Sequence, residues 1–250
     1  MTSSQRDFSI LRRFDFSYVP VAMKFLLNKP DGIEKLAASF SICQMFREAQ
    51  DMPPFYASEE NFSCVDRLLL GFIDPEPIFE SGQIGAKERI YQDARANRRV
   101  YQHIEKIPAG TVRHVAFAPV FEAPFDPDLL VITARPDQAD IILRALSYST
   151  GKPLTTMITP VLMCAWVFIY PYMTGKLNYT ITGVGYGMKN RKLLPEGLFL
   201  ISVPYDLIPM LLDNLAEMDW VLPIASIPDD EQAAFTAKVG GEIRRDYLNG

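Results

Sequence analysis

The chain has 250 residues, 48% hydrophobic and 22% charged, with a formal net charge of −5 at pH 7. That length and apolar content are enough to bury a core without staples, which excludes a disordered chain. The acidic balance lacks the basic footprint of a nucleic-acid binder, and three cysteines, an odd number, exclude a complete disulfide framework and suit a reducing cytoplasm.

Taken in chain order, residues 1–15 read as an N-terminal extension. Arg6, Asp7, Arg12 and Arg13 leave no apolar stretch for a secretory signal. Val19 to Leu27 is strand-like, with Lys24 inside an otherwise apolar run. Alternation puts Lys24 on a solvent face with Ala22 and Leu26; if buried, it needs an anionic partner or ligand. Pro30-Asp31-Gly32 is a turn, after which the pattern predicts a helix running through Ile33 and Leu36 to Ala49. Cys43, Gln44 and Arg47 lie on it, and Cys64 follows in Asn61–Leu68. Ala86 to Lys106 reads as one charged helix with interleaved ion pairs, a solvated face carrying His103.

Val112 to Phe121 reads as a strand flanked by His114, and Phe121 to Pro127 as a proline-rich turn that accounts for Glu122, Asp126 and Asp128. Pro127 to Pro136 is a buried strand, followed by a helix capped at Asp137 whose face is Ala139, Ile142, Leu143 and Leu146. Pro195 to Pro204 repeats the design, followed by Leu207, Ile208, Leu211, Leu212 and Leu215 on one helical face. Val19 onward is a fainter third copy. Leu154 to Met173 approaches the roughly 20 residues of a membrane span. Thr155, Thr156, Thr159, Pro160 and Pro171 make it a buried helix instead, carrying Cys164. Asn178 begins another strand that dissolves into Gly183-Val-Gly-Tyr-Gly187, and 229–247 is a charged helix. The expected fold is α/β (α+β): a mixed sheet covered by helices, built from repeated strand–Pro–helix units. Residues 16–227 form one domain, or two lobes at 16–110 and 111–227, and 228–250 a helical tail.

No Walker loop, nucleophile elbow or C-x-x-C pair is present. The alternating glycines Gly183, Gly185 and Gly187 mark a backbone that comes close to a neighbouring strand or to a ligand. His103 and His114 read as surface or satisfied residues. Cys43, Cys64 and Cys164 allow two readings. They are small buried hydrophobes, or three soft donors that meet in space around a cubane 4Fe-4S cluster and leave one iron open.

Several segments together resemble the domain-of-unknown-function family 169, uncharacterised bacterial and archaeal cytoplasmic proteins. They are Pro20-Val-Ala-Met-Lys24, Ile42-Cys-Gln44 with Arg47 and Ala49, Cys64 with Leu70-Gly71, Ala118-Pro119 leading to Asp126-Pro-Asp128, Pro136-Asp-Gln-Ala139, and Cys164. The resemblance covers roughly Phe16 to Leu215. Members often carry cysteines at these three positions, and many carry a later Cys-x-Gly-x-Arg element. Here Gly183-Val-Gly-Tyr-Gly187 stands in that place, without that cysteine or arginine, which leaves either a three-cysteine site or a member that has shed part of its chemistry.

The expected function is an iron–sulfur enzyme acting on a small anionic substrate, with Cys43, Cys64 and Cys164 as ligands. Lys24, Gln44, Arg47, Gly183, Gly185 and Gly187 would form the substrate side. The alternative is a non-catalytic small-molecule binder or accessory subunit, its pocket lined by Trp166, Tyr170, Tyr172 and Tyr186. Neither reading takes a nucleic acid or a membrane as partner, and a homo-oligomer fits both.

Overall fold

The structure is a computed structural model that describes residues 6–74 and 77–249. The chain divides into two compact units, Met1–Ala216 and Glu217–Gly250. The described residues of the first unit form one mixed sheet. Its strands are β1 (Val21–Leu26), β2 (Glu34–Lys35), β3 (Phe55–Ser58), β4 (His114–Pro119), β5 (Leu129–Ala134), β6 (Asn178–Ile181) and β7 (Phe199–Pro204). They lie in the order β2-β3-β4-β1-β5-β7-β6. Only β2 and β3 run parallel; every other neighbouring pair is antiparallel.

The helices are α1 (Ile42–Glu48), α2 (Asp66–Leu69), α3 (Pro77–Glu80), α4 (Gln83–Lys87), α5 (Ala94–Tyr101), α6 (Pro136–Tyr148), α7 (Tyr170–Thr174), α8 (Tyr186–Asn190), α9 (Ile208–Glu217) and α10 (Asp229–Asn249). A π-helical turn, Ala165–Ile169, runs directly into α7. None of the helices among the described residues is long and apolar enough to cross a membrane.

Strand alternation divides the sheet into two buried faces. Val21, Met23 and Phe25 of β1, Val115 and Phe117 of β4, and Leu129 and Val131 of β5 face one cluster. That cluster also holds Phe46 of α1 and Cys164, Trp166 and Phe168 of the π-turn. Leu130 and Ile132 of β5 are equally buried on the other side, where α6 packs on β5 and β7. Asn214 of α9 ties down that layer by donating to the Ala145 carbonyl of α6 at 2.7 Å. Residues 9–14, set apart above as part of an extension, form a 3-10 turn with Leu11 and Phe14 buried; residues 1–5 of that extension lie outside the described residues.

Three expected elements differ. The helix from Ile33 to Ala49 is a short strand, β2, followed by the later helix α1. Asn61 takes the Leu36 and Ala38 carbonyls with its amide, which keeps this segment extended. Ser41 then starts the helix with a reciprocal cap to Gln44. The charged helix over 86–106 is two helices. Arg89 adopts a left-handed φ of 57°, and Asp93 caps α5 by accepting the Ala96 N–H at 2.7 Å. The Asn97 amide donates to the Gly82 carbonyl at 3.0 Å and folds the two pieces together. The apolar run 154–173 becomes helical only at Met163, because residues 152–161 hold no regular structure and Leu162 is left-handed (φ 55°).

Of the strand–Pro–helix units, β5–α6 and β7–α9 have the expected shape and their strands are antiparallel neighbours. The segment read as a third copy leads from β1 to β2 before any helix. α10 ends at Asn249.

Candidate functional site

Three short segments bring thiols to the cluster-bearing face of the sheet. Cys43 is the second residue of α1, set by the Ser41 cap, whose hydroxyl accepts the Gln44 N–H at 3.3 Å. Cys64 sits on the turn before α2. Cys164 precedes the π-helical turn, next to left-handed Leu162. Cys164 is buried, and Cys43 and Cys64 are half-buried.

Asp66 joins the first two segments. One carboxylate oxygen accepts the Ile42 N–H at the start of α1. The other accepts the N–H groups of Cys64 (3.2 Å) and Arg67 (3.0 Å). The residue is only 1% exposed. Burial disfavours the charged carboxylate and pushes its pKa up to about 6, although the N–H groups of Ile42, Cys64 and Arg67 and the charge of Arg191 pull it down.

The third segment arrives by a different route. The Cys43 side chain, then burial, then the charge of Asp66 raise the Cys164 thiol well above its ordinary range. Cys64 is also raised, by burial first, then by the charges of Asp66 and Cys164. Cys164 therefore lies within electrostatic reach of both other cysteines and of Asp66. The π-turn is held by Asn178, whose amide donates to the Trp166 carbonyl at 2.8 Å, and by the indole N–H of Trp166, which donates to Thr159 at 2.6 Å. A π-turn shifts the backbone register by one residue and leaves carbonyls to be satisfied from outside the helix.

Arg191, at the end of α8, favours the ionised forms of both Cys64 and Asp66. It donates to the Gly187 carbonyl at 3.1 Å. Gly183 and Gly185, before it, are explained by close packing of protein on protein. A Cβ on Gly185 would stand 2.7 Å from the Met163 side chain, one residue before Cys164. Gly183 has φ +94° and lies against Glu196, while Gly187 has no neighbour nearer than Arg191.

The remaining expected residues stand elsewhere. Lys24 alternates away from the cysteine-bearing cluster. Its ammonium donates to the Asp126 carbonyl at 2.7 Å and pairs with Asp128 at 3.8 Å, the anionic partner that a half-buried lysine requires. Gln44 is occupied by the Ser41 cap. Arg47 pairs with Asp51 at 2.5 Å and lies over the Tyr18 ring, in a cleft shared with Lys192. His114 meets the Ser58 hydroxyl at 2.9 Å as its cross-strand neighbour. Tyr172 stacks on Phe25 with ring centroids 4.1 Å apart and Trp166 is core, whereas Tyr186 is partly exposed.

Asp66 and Arg191 do not emerge from spacing. The one local sign of Asp66 is a carboxylate inside the apolar stretch Val65-Asp-Arg-Leu-Leu-Leu70, where a buried charge needs donors. Arg191 has no such sign.

Three thiols suit a soft metal centre in kind. Among the described residues no three His, Cys, Asp or Glu side chains are grouped to hold a metal ion. Sulfurs that bind a cubane through bonds near ~2.3 Å stand about 6–7 Å apart.

A family model described as uncharacterised ArCR matches residues 10–214. No curated protein and no solved structure matches the chain.

Proposed function

Because the chain belongs to domain-of-unknown-function family 169, a family that prescribes no reaction, we propose on the chain's own chemistry that its working part is the three-cysteine centre. Cys43, Cys64 and Cys164 would hold an iron–sulfur cluster with one iron left open to a small anionic substrate. What supports this reading is that Cys164 lies within electrostatic reach of two cysteines from segments far apart in the chain, with the buried Asp66 carboxylate tying the Cys64 turn to the start of α1. When bound, such a group supplies an open Lewis-acid iron.

The chain's own residues have distinct tasks. Asp66 keeps the Cys64 turn against the start of α1. Arg191 replaces Lys24 as the cation in reach of the centre, and so as the group that would orient an anion. Half-exposed free thiols belong in a reducing compartment, which is why the cytoplasm is the proposed location.

Purification from anaerobically grown cells tests the reading. Iron and acid-labile sulfide near stoichiometric, lost in Cys43→Ser, Cys64→Ser and Cys164→Ser alike, is the expected result. Colourless, metal-free wild-type protein from such cells would end it.

A second reading is favoured by the membership of Cys164 in the hydrophobic cluster. The thiols are then core residues of a non-catalytic small-molecule binder. A ligand-dependent rise in melting temperature of metal-free protein, unchanged by Cys64→Ser, would support it over the first.

A further inference from the structure

The turn that contains Glu122 makes no use of its carboxylate. The Glu122 N–H closes that turn on the Pro119 carbonyl at 2.9 Å, and the side chain has no hydrogen bond or ion pair among the described residues. Glu122 lines a cavity of about 430 Å³ at the end of the sheet where β1 begins and β4 ends. Arg12, from the 3-10 turn of residues 9–14, lines the same cavity. Its guanidinium lies over the Phe121 ring, 3.9 Å from the centroid, and pairs with no carboxylate among the described residues. Stacking of this kind fixes the guanidinium plane and leaves the N–H groups on its edge for a ligand. Asp51 is the other carboxylate on the wall, and Arg47 already holds it at 2.5 Å. One cation and one anion therefore share a cavity without pairing with each other.

The buried part of the wall is Gln50, only 3% exposed. Its Nε2 donates to the Thr133 hydroxyl at 3.0 Å, while its Oε1 has no donor. A buried acceptor left in that state carries a standing cost, which an incoming N–H removes. Val19, Met52 and Phe121 give the cavity apolar surface beside these polar groups.

We infer that this cavity binds a free α-amino acid with an apolar side chain. The carboxylate goes to the edge of the Arg12 guanidinium, and the ammonium to Glu122 and Gln50 Oε1. The side chain packs on Val19, Met52 and Phe121. A zwitterion is the complement of an unpaired cation and an unpaired anion. A simple anion would be repelled by Glu122 and a simple cation by Arg12, so the same pair of charges selects against both. The volume lies near the small end of the roughly 300–1,000 Å³ usual for ligand sites, which suits a molecule of this size. The site uses none of the three cysteines and stands without the iron–sulfur reading.

The test is isothermal titration calorimetry of the metal-free full chain with L-leucine. Two comparators each lack one charge: isocaproate is leucine without its ammonium, and isoamylamine is leucine without its carboxylate. Leucine should saturate at one per chain, and each comparator should bind about tenfold or more weakly, as loss of a charged hydrogen bond predicts. Arg12→Gln should erase the advantage of leucine over isoamylamine, and Glu122→Gln its advantage over isocaproate. Both side chains are exposed, so the variants should melt as the wild type does without ligand. The inference is overturned by wild-type protein that gives no saturable heat with leucine, or that binds either comparator as tightly as leucine. It is equally overturned if both variants keep the wild-type affinity. The first two outcomes are read on unaltered protein and depend on no variant folding.

Discussion

The two faces of the sheet are built by different means. On one, α6 and α9 are regular helices of 13 and 10 residues whose apolar sides are spaced as helices require. α6 begins with Pro136, and the Gln138 side chain accepts the Arg135 N–H at 2.9 Å. On the other face the covering pieces are short: α1 of 7 residues, α2 of 4 and the π-turn of 5. What holds these pieces is a set of buried polar groups, Asp66, Asn178 and Ser41, rather than long apolar stripes. The regular face supplies stability. The irregular face keeps a carboxylate and three thiols without a long helix. Short elements locked by side-chain hydrogen bonds can present groups that a continuous helix would turn away.

The sharpest way to break that comparison is Asp66→Ala. It leaves the N–H groups of Ile42 and Cys64 without an acceptor, while the Arg67 N–H keeps the Cys64 carbonyl. At about 1–3 kcal/mol for each orphaned group, the expected loss of stability in urea unfolding is about 2–6 kcal/mol. The rate of alkylation of Cys43 by iodoacetamide should change with it in the folded fraction. A loss under about 1 kcal/mol would mean that Asp66 does not hold the face together.

Leu211→Ala, on the regular face at a fully buried position, should cost about 2–5 kcal/mol as a cavity. It should leave the rate of alkylation of Cys43 by iodoacetamide unchanged under native conditions. A change in that rate comparable with the Asp66→Ala effect would show that the two faces are not separable.

Stability should also depend on pH through Asp66. Its carboxyl titrates at about 6 in the fold against an ordinary 3.8, so the folded chain holds the proton more tightly than the unfolded chain. The contribution is therefore fully present below the unfolded value and is lost as pH rises through the folded one, by about 3 kcal/mol in all. Asp66→Asn, which cannot ionise, is the control. The wild type should lose ground relative to it between pH ~4 and ~7, and a constant difference across that range would contradict the assignment.

The smallest effects come from a matched pair. Asn178→Ala frees the Trp166 carbonyl on the irregular face, and Asn214→Ala frees the Ala145 carbonyl on the regular one. Each should cost about 1–3 kcal/mol. Only Asn178→Ala should raise the rate of alkylation of the buried Cys164, which precedes the π-turn that Asn178 holds.

The regular face was legible from residue spacing. β5, α6, β7 and α9 all appear where alternation and helical periodicity put them, because a buried strand or an amphipathic helix writes its burial into its own sequence. The irregular face was legible only as a list of cysteines. The helix expected from Ile33 broke at a cap, and the one expected from Leu154 broke at a left-handed Leu162. Lys24 and Arg47, chosen as anion-binding cations, found carboxylates of their own, Asp128 and Asp51. Arg191, which acts on the centre, carries no local mark.

By itself the sequence determined an acidic α/β chain with a mixed sheet, its helix-backed layer and membership of family 169. Those properties depend on composition and on periodicities within single elements. Only the tertiary structure decided that Asp66 is buried between two thiol-bearing segments and that Arg191 rather than Lys24 is the neighbouring charge. The partners lie from 24 to well over 100 positions apart along the chain. Contacts of that range are selected by how the layers pack, and no local pattern encodes them.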